Sequence, residues 1–271
     1  MALREFFAQN QGVVRARVTG ALGSSPRDAG AEMYVSATEM TGTIGGGQLE
    51  YMALQRAREM LQGEEAHAEL DVPLGPEIGQ CCGGRAIVAL DRVDATIREA
   101  ALVAETEAEA VLPMVMIFGA GHVGRALAKV LALLPVQVKV VDSREAELQQ
   151  VEGAQTCLTA LPEREIDAAP EGAAFVIMTH DHGLDYLLVA QALTRRDAVY
   201  VGMIGSTTKR AKFFNWARQH DSGIDVSRLV CPMGSAGLGD KRPAVIAAFI
   251  ATELMSVFAA ARDSAPMEAI A

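Results

Sequence analysis

The sequence predicts an α/β protein: a C-terminal Rossmann-like doubly wound parallel sheet preceded by a smaller α+β domain. Three observations predict it. An apolar run, Met114 to Phe118, leads straight into Gly119-Ala120-Gly121-His122-Val123-Gly124 and a segment with helical spacing at Val123, Leu127, Val130, Leu131 and Leu134. A second apolar run, Val136 to Val141, then ends in Asp142, roughly 20 residues beyond the glycines, which is the spacing of a dinucleotide-binding βαβ unit. From there strand-like and helix-like segments keep alternating, whereas the first 93 residues carry period-two strands around one helix.

The first domain is assigned to residues 1–93. From Gly12 the run VVRARVTGA alternates as a strand, and Gly23-Ser24-Ser25-Pro26-Arg27 breaks it. Ala31 to Ser36 reads as the returning strand. Gly45-Gly46-Gly47 then stands directly before a helix with Leu49, Met52, Ala53, Ala57 and Met60 on one face. Such a loop offers backbone amides at a helix start, so it reads either as a second anion-binding loop or as a tight strand-to-helix turn. Ala66 to Val72 and Arg85 to Leu90 read as two more strands, with Gly79-Gln80-Cys81-Cys82-Gly83-Gly84 between them. Thiolates bind soft metals, accept sulfur and exchange with disulfides, so Cys81 and Cys82 are functional candidates; the alternative is a structural loop. No second CxxC pair or nearby His completes a zinc site. Residues 94–112, rich in Ala and Glu, read as a linker with helical character.

The second domain is assigned to residues 113–271. In its first turn Gly119 permits the bend, Gly121 lets amides approach a phosphate, and Gly124 lets the helix pack on the strand. Gln155 to Thr159, Ala173 to Thr179, Ala198 to Ile204 and Leu229 to Cys231 read as further strands, and Leu184 to Thr194 and Thr207 to His220 as helices. Ligands of such sheets gather beyond the carboxyl ends of the strands. Those ends carry Gly119 to His122, Asp142 with Arg144, His180-Asp181-His182, Gly205 to Arg210, and Pro232-Met233-Gly234, all polar or glycine-rich. Asp142 suits ribose hydroxyls, Arg144 suits a phosphate, and either could merely hold a turn. His180 and His182 alternate across a strand end, which favours a hydrogen-bonding role for one over joint metal ligation. Lys209, Arg210 and Lys212 in the first turns of a helix read as anion contacts or as a solvated basic face. The last helix, from Pro243, is apolar almost all round and suits burial against the sheet or a second subunit, so a homo-oligomer is expected.

With 34 acids against 24 bases the formal charge is −10, and no basic run would track nucleic acid. No segment is expected to reach the roughly 20 apolar residues of a membrane span, since Pro243 to Ala261 contains Glu253, and the expected location is the cytoplasm.

Taken together, Ser25-Pro26-Arg27, Gly42-x-Ile44-Gly45-Gly46-Gly47-x-x-Glu50, Gln80-Cys81-Cys82-Gly83-Gly84, FGAGHVG, THDH, GMIGSTTKR and CPMG followed by RPAVIAA resemble the XdhC/CoxI family of xanthine dehydrogenase accessory proteins along nearly the whole chain. The resemblance implies a molybdenum-cofactor chaperone without turnover of its own. It would bind molybdopterin, shield it while a cysteine desulfurase installs the terminal sulfur, and deliver it to apo xanthine dehydrogenase; its partners would include the proteins that make the cofactor. It implies Gly119, Gly121 and Gly124 at the phosphate, with Cys81 and Cys82 near the molybdenum or the incoming sulfur; the loops and strand ends read above add Gly45, Gly46, Gly47, His122, Asp142, His180, Lys209 and Arg210 to the expected cofactor site. Asp142 pulls the other way, because molybdopterin without an attached nucleotide has no ribose. The competing readings are an NAD(P)-dependent oxidoreductase, with His180 or His182 as proton donor, and a thiol relay built on the vicinal cysteines.

Overall fold

The computed structural model describes residues 3–23, 27–74, 84–220, 223–234 and 239–264. The chain divides into two compact units, Met1–Ala110 and Val111–Ala271.

In the first unit the elements run α1 (Leu3–Gln9), β1 (Val14–Leu22), β2 (Glu32–Val35), β3 (Met40–Gly42), α2 (Gly47–Gln62), β4 (His67–Leu74), β5 (Gly84–Arg92) and α3 (Ala95–Ala110). The strands form one antiparallel sheet in the order β3-β2-β1-β5-β4. Period-two patterning sets its faces. Val14, Ala16 and Val18 point to α2, whose Leu49, Ala53, Ala57 and Met60 close that core. On the other face Tyr34 meets Phe6, Phe7 and Ala101, so α1 and α3 form a second layer. The stretch read as a linker therefore contains α3, a helix with a buried contact of its own. Neither α1 nor β3 is foreseen by periodicity, being seven and three residues long.

The second unit runs β6 (Met114–Phe118), α4 (His122–Leu131), β7 (Gln137–Asp142), α5 (Glu145–Leu148), β8 (Gln155–Leu158), α6 (Glu163–Asp167), β9 (Ala174–Ile177), α7 (His182–Thr194), β10 (Tyr200–Met203), α8 (Thr207–His220), β11 (Leu229–Val230) and α9 (Pro243–Ser264). Among the described residues its six strands are all parallel, ordered β11-β10-β9-β6-β7-β8. Counted within the sheet this is 6-5-4-1-2-3, the dinucleotide-binding order, and it reverses at β6, between β7 and β9. Strands β9 and β10 are buried throughout, as a sheet covered on both faces requires. Helices α4 and α9 cover one face and α7 and α8 the other. Helix α4 stops at Leu131, short of the expected Leu134, because Pro135 disfavours helical backbone in the residue before it.

Helix α9 corrects one expectation. Among the described residues it is the one helix long and apolar enough to cross a bilayer by length and composition, over Pro243–Arg262 with mean hydropathy 2.0. In this unit one stripe, Ala247, Ile250, Ala251, Leu254 and Phe258, packs with Leu127, Ala128 and Leu131 of α4. Its Glu253 accepts from the Tyr200 hydroxyl at 2.9 Å and from the Gly234 amide at 3.0 Å, which ties the loop after β11 to the helix. Burial and the nearby carboxylate push the Tyr200 phenol up, so it stays protonated and donates.

Candidate functional site: the crevice at the reversal of strand order

Three glycines shape the turn after β6, each for a different reason. At Gly119, φ is +120°, and a Cβ would stand 2.4 Å from the Met178 carbonyl oxygen; only glycine lets β6 pass that close to the end of β9. A Cβ on Gly124 would meet the Gly119 carbonyl at 2.0 Å, so α4 packs directly on its own turn. Gly121 differs. Its φ of −68° suits any residue, and a Cβ would meet nothing within 4 Å. Open space therefore lies over the start of α4, where the first-turn amides, those of His122, Val123 and Gly124, have no intrahelical acceptor. His122 is exposed at the same point.

Asp142, at the end of β7, is 7% exposed and fully engaged. Its Oδ2 accepts from the Ala120 amide at 2.7 Å and from Arg144 Nη2 at 2.7 Å, and its Oδ1 accepts from the Arg144 amide at 3.0 Å and from Arg144 Nε at 2.9 Å. Burial alone would raise its pKa, but these four donors outweigh it and bring the carboxyl down to about 2. Arg125 braces the turn from the other side, donating to the Ala120 carbonyl at 3.0 Å while pairing with Glu147.

A small cavity of about 60 Å³ opens between these strand ends, lined by Gly119, Asp142, Pro162, Thr179, His180 and Leu184 among others. His180 is exposed at its rim. Asp181 accepts from the amides of Gly183 and Leu184 and so caps α7. His182 lies outward, 80% exposed, with Nδ1 3.9 Å from Asp185.

Asp185 was not anticipated. Its side chain is fully buried, accepting from the Thr179 amide at 2.9 Å, the Thr179 hydroxyl at 2.7 Å and Lys209 Nζ at 2.5 Å. Lys209 also donates to the Ile204 carbonyl at 2.9 Å, so two of its three N–H donors serve the protein itself. The signal was present as the one acid inside the apolar segment Leu184 to Leu193. Arg210 turns its guanidinium over the Phe214 ring, 5.0 Å from the centroid. The structure thus brings Gly119, Gly121, His122, Gly124, Asp142 and His180 to one crevice, and directs Lys209 and Arg210 to protein partners.

The family model described as the XdhC Rossmann domain matches residues 115–254, and the model described as the XdhC and CoxI family matches residues 6–71. The chain belongs to the XdhC and CoxI family. A crystal structure described as a xanthine dehydrogenase, from Bacillus halodurans, superposes with a TM-score of 0.77 at 18% identity, covering 97% of each chain, which shows a shared fold. The uncharacterized protein YqeB of Escherichia coli K12 is 25% identical over 260 residues; the match covers 92% of this chain but only 44% of that longer protein.

In this XdhC and CoxI family member, the Gly45-Gly46-Gly47 loop has three successive positive φ values, of 123°, 79° and 61°, and its donors have an internal partner. Glu50 Oε1 accepts from the Ile44 amide at 3.1 Å, the Gly46 amide at 2.9 Å and the Thr43 hydroxyl. Burial raises the pKa of this carboxyl, but the hydrogen bonds win and hold it below its usual value. The anion at this loop is the chain's own carboxylate. Cys81 and Cys82 lie outside the described residues and outside both matched segments. Of the described thiols, Cys157 is partly buried and Cys231 buried, and burial pushes both pKa values up. Among the described residues no group of three or more His, Cys, Asp or Glu side chains is placed to hold a metal.

Proposed function

We propose that this chain is a maturation factor for a xanthine dehydrogenase, carrying the molybdenum cofactor as cargo, shielding it during sulfuration by a cysteine desulfurase and releasing it to the apo enzyme. Membership of the XdhC and CoxI family supports the role. The observation that carries the cargo reading is the open space at Gly121 above the first turn of α4, which suits a phosphate and its attached organic group. The cargo brings a phosphate, a hydrogen-bonding pterin and a soft metal on a dithiolene. The amides of His122 to Gly124 answer the phosphate, and His180 at the cavity rim offers a hydrogen bond to the ring. Cys81 and Cys82 are the chain's soft donors for the molybdenum or the incoming sulfur.

The NAD(P)-dependent oxidoreductase remains the second reading, because the strand order favours a dinucleotide. One preparation separates the two. Protein purified from cells that make the cofactor should carry pterin and molybdenum, and should not oxidise reduced nicotinamide in sustained turnover. The double change Cys81→Ser with Cys82→Ser should lower molybdenum occupancy severalfold while the melting temperature stays within a few degrees. Cofactor-free protein from competent cells, or full occupancy in the double variant, would count against the cargo reading and against the thiols respectively.

A further inference from the structure

We propose that Arg144 is a specificity-determining residue: by occupying Asp142 it closes the ribose subsite of this crevice to an unmodified ribose diol and opens it to a phosphomonoester. The inference rests on the reading of the crevice as a phosphate-bearing cargo site, and names the feature that separates that cargo from nicotinamide dinucleotides.

In this fold an acid at the end of the second strand accepts hydrogen bonds from the two ribose hydroxyls. Asp142 holds that position, at the carboxyl end of β7 and in the wall of the cavity. A carboxylate has about four acceptor sites. Here four donors fill them: the Ala120 amide and Arg144 Nη2 on Oδ2, and the Arg144 amide and Nε on Oδ1. Three of those donors belong to one residue, two positions along the chain. A diol must donate, and it finds no acceptor left.

The same contact has a second side. The guanidinium meets Asp142 through its Nε and Nη2 edge, which leaves Nη1 facing away from the carboxylate. The Arg144 side chain is 36% exposed against 4% for Asp142, so the pair shows its cationic edge to solvent. A planar N–H fork beside a helix start suits a dianionic phosphomonoester and offers a neutral diol little. Asp142 Oδ2 holds both the Ala120 amide and Arg144 Nη2, which sets this fork beside the α4 turn. Two ligands present that group: a pterin cargo whose single terminal phosphate is shared between the first-turn amides of α4 and this fork, and a dinucleotide phosphorylated on the ribose.

The test uses the full chain with NADH, NADPH and the copurified cargo as three arms. Nicotinamide fluorescence titrations are run on the wild type, Arg144→Gln and Arg144→Lys. Gln cannot grip both carboxylate oxygens, and the amides of residues 120 and 144 remain, so two acceptor sites become free for a diol. Arg144→Gln should bind NADH at least tenfold more tightly than the wild type, lose any preference for NADPH, and carry severalfold less cargo. Arg144→Lys should fall between. A gain of NADH affinity cannot come from misfolding. Equal NADH affinity in the wild type and Arg144→Gln, whether tight or undetectable, overturns the inference. Cargo occupancy of the wild type is read separately, so a missing pterin would sink the cargo reading and leave the diol result standing on its own.

Discussion

Gly121 and Gly124 lie three residues apart in one motif yet predict opposite outcomes. Gly124→Ala puts a methyl group 2.0 Å from a backbone carbonyl that cannot swing away, so the variant should lose about 1 to 3 kcal/mol of stability despite alanine's better helix propensity. Gly121→Ala meets nothing, and its backbone is already in a common region, so its unfolding midpoint in urea should match the wild type. Cargo occupancy should nevertheless fall in Gly121→Ala, whose methyl group enters the open space over the start of α4. Asp142 supports a prediction on pH. Its carboxyl titrates at 3.8 when unfolded and at about 2 when folded. A folded-state value below the unfolded one contributes stability above the unfolded value and loses it as pH falls from about 4 through 2. The contribution is about 2 kcal/mol. Asp142→Asn should therefore flatten the fall in urea-unfolding free energy between pH 5 and pH 2 by that amount; parallel curves would show that the carboxylate contributes nothing.

Among the elements, β9, α7 and α8 are held together at their crevice ends by one buried ion pair. Lys209 of α8 reaches Asp185 of α7, and Asp185 takes both the amide and the hydroxyl of Thr179 just beyond β9. Removing one partner leaves the other charge buried alone, so Lys209→Met should cost about 3 to 5 kcal/mol. Adding Asp185→Asn to it should recover part of that loss, and an additive double variant would argue against the coupling. This pair also marks the limit of what was legible in the sequence. The glycine turn, the strand ends and the helix from Thr207 to His220 depend on neighbours in the chain, so spacing revealed them. Which carboxylate answers which donor depends on tertiary closeness. Lys209 was readable as a basic residue at a helix start, but not as the counter-ion of an acid 24 residues earlier. The Gly45 to Gly47 loop was readable as a set of amides, while the return of Glu50 onto them rests on how the first turn of α2 folds back.

Over the whole molecule, each unit has hydrophobic clusters of its own, and the two family matches fall one in each. The division into α+β and doubly wound parts was legible because the strand patterning changes character, from period two to continuous apolar runs. The order of the described strands was not legible, since β8 and β11 read as strands but carry nothing in their composition that says which neighbour each pairs with. Helix α9 comes last of the described elements, yet it covers the apolar flank of α4, which is made much earlier. On the ribosome that flank must wait, wetted and adhesive, until translation has passed Phe258 and the closing segment has cleared the exit tunnel. The Rossmann unit of this chain is therefore completed only once α9 has emerged, and a nascent polypeptide stalled before Pro243 would carry an oily surface that lacks its covering helix.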